Sequence, residues 1–173
     1  ISTLTLDAGE DQVTSLFTDG LYLYAGTFTI PGKIVKIDLS TFTKVGTLTL
    51  SANEDLVRTI FFDGTYLYAG LETTPGKVIK IDLATFTTIN TLTLSANENT
   101  VISLFSDGTY LYAGLYTSPG KIVKIDLATF TKTVTIVLAA GEDNILSIFS
   151  DGIYLYSGTY TSPGKIIRRY IIP

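Results

Sequence analysis

Carboxylates and amines recur in this sequence at one fixed interval. Glu10, Glu54, Glu98 and Glu142 stand 44 residues apart. Each lies in a short polar stretch: Asp7-Ala-Gly-Glu-Asp11, Ser51-Ala-Asn-Glu-Asp55, Ser95-Ala-Asn-Glu-Asn99 and Ala139-Ala-Gly-Glu-Asp143. Lys33, Lys77, Lys121 and Lys165 follow a Pro-Gly pair at the same interval. Acid, amide and amine brought onto one surface could take sugar hydroxyls or a hard cation. The candidate ligand-binding set is therefore Glu10, Asp11 and Lys33; Glu54, Asp55 and Lys77, with Asn53; Glu98 and Lys121; and Glu142, Asp143 and Lys165. The competing reading is a solvated loop whose Gly or Asn turns the chain and whose acids keep it soluble. No stretch matches a calcium-binding EF-hand loop, so no metal ligands are assigned.

Aromatic side chains supply a second kind of candidate. Tyr22 and Tyr24, with their copies at 66 and 68, 110 and 112, 154 and 156, alternate within one apolar run. That spacing suits packing between sheets better than ligand stacking. Tyr116 and Tyr160 differ, because Phe28 and Glu72 take the same place in the other copies. These variable positions are the better stacking candidates. Arg58 is a singleton where the copies carry Thr14, Ile102 and Leu146. A charge there must reach an axial channel or a loop end to stay solvated. Lys36 and Asp38, with their copies, share a strand face and need be no more than a surface ion pair. Arg168, Arg169 and Tyr170 break that pattern, as expected for a closing strand adapted to its partner.

Several function classes are disfavoured. The 173 residues include no His and no Cys, so the usual nucleophile triads, thiol chemistry and zinc ligand sets cannot be built. The carboxylates repeat as a ring rather than gathering in one asymmetric pocket, so no enzyme activity and no cofactor are expected. The net charge is −4 and the basic residues are dispersed, which leaves no stripe for a nucleic-acid backbone. No apolar run approaches the roughly 20 residues of a membrane-spanning helix, so membrane insertion is not expected. Hydrophobic residues make up 46% and charged residues 16%, a balance that favours collapse into one domain over disorder. Ile1 in first place suggests a processed start or an excised domain.

The repeat decides the architecture. Asp-Gly falls at Asp19, Asp63, Asp107 and Asp151, and Pro-Gly at Pro31, Pro75, Pro119 and Pro163. Residues 46–89 and 90–133 are identical at 31 of 44 positions, the mark of recent duplication or of deliberate design. In the second copy four strands are predicted, Leu56–Phe62, Tyr66–Leu71, Lys77–Leu83 and Thr88–Leu94. All are rich in β-branched and aromatic residues. Asp63-Gly64 makes the first turn, Thr74-Pro75-Gly76 a type II turn, and Asp82-Leu83-Ala84-Thr85 a turn closed by side-chain hydrogen bonds. Four strands in 44 residues is the size of a propeller blade, which must stack on neighbours to bury both faces. The expected fold is an all-β, four-bladed β-propeller of four-stranded antiparallel blades, one domain over residues 1–173. Residues 1–6 match the fourth strand of the repeat, and the last repeat stops after its third, Lys165–Ile172. Pairing the two would complete the last blade as a velcro closure. Closure between two chains would instead give an eight-bladed homodimer.

The segment Asp107–Leu138, DGTYLYAGLYTSPGKIVKIDLATFTKTVTIVL, resembles the YVTN and NHL-like propeller repeats in three features. These are its paired aromatics before Gly, its Lys-Ile-Val-Lys-Ile-Asp strand and the Ala-Thr turn that follows. The resemblance implies a propeller of the kind found in surface or extracellular proteins, and no reaction. The expected function is a non-catalytic structural or multivalent binding scaffold with a carbohydrate or protein ligand. Two alternatives stand beside it: a lectin-like binder with one site per blade, and a designed or reconstructed repeat protein without a natural ligand.

Overall fold

The computed structural model describes residues 1–171. Among the described residues fifteen strands follow one another without a helix. The first sheet holds β1 (Val13–Thr18), β2 (Tyr22–Thr27), β3 (Lys33–Asp38) and β4 (Thr43–Thr49). The second holds β5 (Val57–Phe62), β6 (Tyr66–Leu71), β7 (Lys77–Asp82) and β8 (Thr87–Thr93). The third holds β9 (Val101–Ser106), β10 (Tyr110–Leu115), β11 (Lys121–Asp126) and β12 (Thr131–Val137). β13 (Ile145–Ser150), β14 (Tyr154–Thr159) and β15 (Ile166–Tyr170) make a fourth sheet, three-stranded among the described residues. Every sheet is an antiparallel meander in sequence order, and the predicted strands of the second copy agree with β5–β8 to within a residue at either end.

Local chemistry accounts for two of the three turns as expected. In the Asp-Gly turn, Asp63 Oδ1 accepts the Thr65 and Tyr66 amides at 2.8 Å each, and Oδ2 accepts the Tyr68 hydroxyl at 2.8 Å. Gly64 takes a φ of 101°, where a side chain would be strained. The same Tyr–Asp bond recurs at Asp19, Asp107 and Asp151. In the third turn Asp82 Oδ1 accepts the Thr85 amide at 2.9 Å. The Pro-Gly turn differs from the type II form. Pro31, Pro75, Pro119 and Pro163 each follow a cis peptide bond, and the Gly after each keeps a negative or extended φ. Gly is needed there for space: a Cβ on Gly76 would stand 3.0 Å from the Glu98 carbonyl oxygen.

Both faces of each sheet are apolar, so burial requires neighbours on both sides. Tyr24, Ile34, Leu48 and Leu50 of the first sheet pack on Val57, Ile60, Leu67, Ile79 and Ile81 of the second. The next two junctions repeat the arrangement around Tyr68 and Tyr112. First strands of successive sheets touch, β1 with β5, β5 with β9 and β9 with β13. Phe17, Phe61, Phe105 and Phe149 run along them with ring centroids 5.9, 6.1 and 5.4 Å apart. Backbone bonds weld the junctions at one rim: Gly32, Gly76 and Gly120 donate to the carbonyls of Glu54, Glu98 and Glu142 at 2.7–2.8 Å.

Among the described residues the sheets do not close into a ring, and the expected velcro pairing is not made. Residues 1–6 are not a strand here. Leu4 and Leu6 lie on the first sheet against Ala25, Val35 and Ile37, as Leu48 and Leu50 lie on the second. This contact holds the segment at the far end of the arc from β15. Ile172, the predicted last residue of that strand, lies outside the described residues. No helix among the described residues is long and apolar enough to cross a membrane.

The junctions depend on a glycine hollow. A Cβ on Gly114 would come within 2.8 Å of Ile145 Cγ2 and 2.9 Å of its carbonyl oxygen. Gly114→Ala is expected to destabilise the fold by about 2 kcal/mol, the usual cost of overpacking, read as a shift in the urea midpoint. No shift would mean that the third junction is loose.

Candidate functional site

The repeated acids and lysines share one rim of the sheets, as strand polarity requires, and they turn inward. Glu54 is buried: its Oε2 accepts the Ser51 amide at 2.9 Å and its Oε1 the Thr91 hydroxyl at 2.7 Å. Glu10 and Glu98 are buried in the same way, accepting the Asp7 and Ser95 amides, the Thr47 and Thr135 hydroxyls and the ammonium groups of Lys44 and Lys132. Lys44 also pairs with Asp7. Glu142 accepts the Ala139 amide at 2.9 Å and is only half-buried. Each of these carboxylates closes its own loop and, in the first three sheets, fastens the outer strand of the sheet that follows the loop. Lys33, Lys77, Lys121 and Lys165 donate to the carbonyls of Gly9, Asn53, Asn97 and Gly141 at 2.6–2.7 Å. Asp11 is exposed, Asp55 is half-buried, and Asp143 accepts the Ser118 hydroxyl at 2.9 Å.

A different set of residues gathers at the start of the first strands. Each sheet has a β-bulge there, shifting the register between Val13 and Ser15 and at the equivalent places in β5, β9 and β13. The residue ahead of each bulge, Gln12, Leu56, Thr100 or Asn144, has a φ between 47° and 55°. Non-glycine residues held in this left-handed region mark strain that the surrounding structure must enforce, and such bulges re-aim a side chain. The side chains inside the bulges are Thr14, Arg58, Ile102 and Leu146. Beside them, Phe28, Glu72, Tyr116 and Tyr160 donate their amides to residues 12, 56, 100 and 144 at 2.9–3.0 Å.

These three positions per repeat therefore form one patch, and their chemistry varies from copy to copy. Arg58 pairs with Glu72 and stacks its guanidinium 4.6 Å from the centre of the Phe28 ring. Tyr116 and Tyr160 are exposed, with ring centroids 6.4 Å apart. A cavity of about 330 Å³ is lined by Arg58, Glu72, Thr100, Ile102, Tyr116 and Leu146, drawn from three sheets. The sequence singled out Arg58, Tyr116 and Tyr160 but not residues 12, 56, 100 and 144. Their signal was the run Gln, Leu, Thr, Asn at one repeat position. Among the described residues no group of three or more acids is placed to hold a metal ion.

Repeated antiparallel sheets with this radial stacking define a propeller-like repeat protein, and solved structures agree. The chain is similar to the computationally designed Ika4 protein, at 15% identity and a TM-score of 0.72 over 97% of this chain and 96% of that one. It is also similar to hydrazine synthase of Kuenenia stuttgartiensis, at 16% identity and a TM-score of 0.71 over 91% of this chain and 53% of that one. The WD40 repeats of RRP9 give 14% identity and a TM-score of 0.70 over 91% and 51%. The chain thus spans about half the length of these last two. It belongs to the family described as Repeat of unknown function (DUF6923), whose model matches residues 17–148. No curated protein matches it significantly.

The buried acids make stability depend on pH. Burial alone would raise the Glu98 carboxyl, but the Thr135 hydroxyl, Lys132 and the Ser95 amide outweigh it and hold it below its ordinary value of 4.5. A carboxyl lowered in the folded state stabilises the fold above its unfolded pKa, and that stability is lost as pH falls through the folded pKa. Denaturation midpoints are expected to fall as pH drops below 4.5, and Glu98→Gln is expected to flatten the fall. An unchanged pH profile in Glu98→Gln would show that this carboxylate is not the fastening described.

Proposed function

We propose that the chain is a non-catalytic, propeller-type binding scaffold whose ligand site is the variable patch around Arg58, Glu72, Tyr116 and Tyr160. Each sheet is read as one blade. The observation that carries the reading is the division of labour between repeated and unrepeated residues. Carboxylates and amines present in every copy are occupied by internal hydrogen bonds, whereas Arg58, Glu72 and Tyr116, which vary between copies, line one cavity. An apolar cleft with a few convergent polar groups is the usual form of a small-ligand site. Exposed Tyr faces beside an Arg–Glu pair suit a sugar ring, the faces stacking on C–H groups and the ion pair bonding hydroxyls. One asymmetric site then replaces the several equivalent ones that the repeat suggested. A surface or extracellular setting accords with the likeness to YVTN and NHL-like repeats.

A designed or reconstructed protein without a natural ligand is the second reading. It is favoured by the 31 identities in 44 between the central repeats and by the likeness to designed Ika4 over almost the whole of both chains.

The test is an oligosaccharide array followed by calorimetry with the best-bound glycan. Tyr116→Ala and Arg58→Ala are each expected to weaken binding by about tenfold or more, the effect of losing an aromatic or Arg anchor. Lys77→Ala is expected to leave it unchanged. Binding that follows Lys77 instead of Tyr116 would return the site to the repeated loops. Silence across the array would favour the second reading.

A further inference from the structure

The two end faces of the arc are built as interior faces. Ile34, Val78 and Ile122 occupy one register position and are 0%, 0% and 2% exposed, while their counterpart Ile166 in β15 is 83% exposed. On the opposite face Val57, Val101 and Ile145 are fully buried, whereas Val13 in β1 is 48% exposed. At each internal junction the second of these positions enters the glycine hollow of the first. A Cβ on Gly26 would meet Val57 Cγ1 at 2.6 Å, and one on Gly70 would meet Val101 Cγ1 at 2.5 Å. At Gly158, the last of the series, the only described atom within 4 Å of such a Cβ is its own sheet's Ser147 Oγ, at 2.6 Å.

We propose that a second copy of this chain covers both ends, head to tail, so that two arcs close into one ring. Val13 of each copy enters the hollow over Gly158 of the other and covers Ile166. The occupant is a second copy because the receiving and entering faces are the fourth instance of a contact the chain already makes three times with itself.

Residues 1–6 support this assignment independently. Thr47, Thr91 and Thr135 donate their hydroxyls to Glu10, Glu54 and Glu98, and the residue 44 positions before Thr47 is Thr3. Thr3 is exposed, and Glu142 is the one of the four carboxylates left half-buried. Leu50, Leu94 and Leu138 donate to the carbonyls of Gly32, Gly76 and Gly120 at 2.9 Å each. Leu6 stands 44 positions before Leu50 and takes the same part toward Gly164. Leu4 and Leu6 already hold this segment against the first sheet, leaving its strand edge to pair with β15 of the other copy. Thr3 then reaches Glu142 of that copy.

A head-to-tail contact closes a ring or grows a filament, according to whether the rotation returns to its start. Light scattering on a sizing column separates these. The expected mass is twice the 18.7 kDa of the chain. Val13→Asp and Ile166→Asp each place a charge where the separate arc is solvent-exposed, so thermal unfolding of the single chain should change little. Each is expected to weaken pairing on the order of 100-fold by burying that charge. Mixing the two variants restores one intact junction, and with it the double mass. A monomer of the unsubstituted chain, an open polymer, or a mixture that fails to recover the double mass would each overturn the proposal.

Discussion

The rest of the structure depends on one contact, a β-branched side chain of each sheet seated over a glycine of the sheet before it. Val57 over Gly26, Val101 over Gly70 and Ile145 over Gly114 bring the sheets close enough for Tyr24, Tyr68 and Tyr112 to be buried between them. A sheet with two apolar faces cannot stop at one neighbour without exposing the other face to water. The arc therefore has an unmet demand at each end, and Ile166 and Val13 are where it shows.

The polar residues serve the same stacking. A buried carboxylate is tolerated only when hydrogen bonds replace its water, and Glu54 obtains them from its own loop and from its sheet's outer strand. Its backbone carbonyl meanwhile accepts Gly32 of the preceding sheet. One loop thus binds along the sheet and across to the next, so its acid recurs in every repeat. Variation is left to the positions that stacking does not use. The bulged starts of β1, β5, β9 and β13 carry such positions, since a side chain between ladder partners is free to vary.

Much of the fold was legible because the repeat phases every strand against every other. Asp63-Gly64 and Pro75-Gly76 bounded β6, and the alternation of Tyr66 and Tyr68 with Leu67 and Ala69 announced two buried faces. What the pattern could not carry was geometry across junctions. The Pro-Gly turn was read as a local type II turn, whereas Gly76 is fixed by the carbonyl of Glu98 in the next sheet. The match of residues 1–6 to an outer strand pointed to a pairing with β15 that the single chain does not make. Its partner could not be read, because sequence spacing says nothing of how far each sheet rotates from the last. Arg58, Tyr116 and Tyr160 stood out by composition, but their gathering with Glu72 depends on bulges that leave no mark in the hydrophobic pattern.

The claim that every sheet face is made for the same junction, the end faces included, can be tested at one amide. Gly32, Gly76 and Gly120 each donate across a junction, and Gly164 is the fourth member of the series, with Glu10 of a second copy as its acceptor. Residue-resolved hydrogen exchange is expected to find Gly164 protected like the other three, and to lose that protection alone on dilution or in Ile166→Asp. Exchange of Gly164 at the rate of an open loop at every concentration, with the other three protected, would contradict the claim.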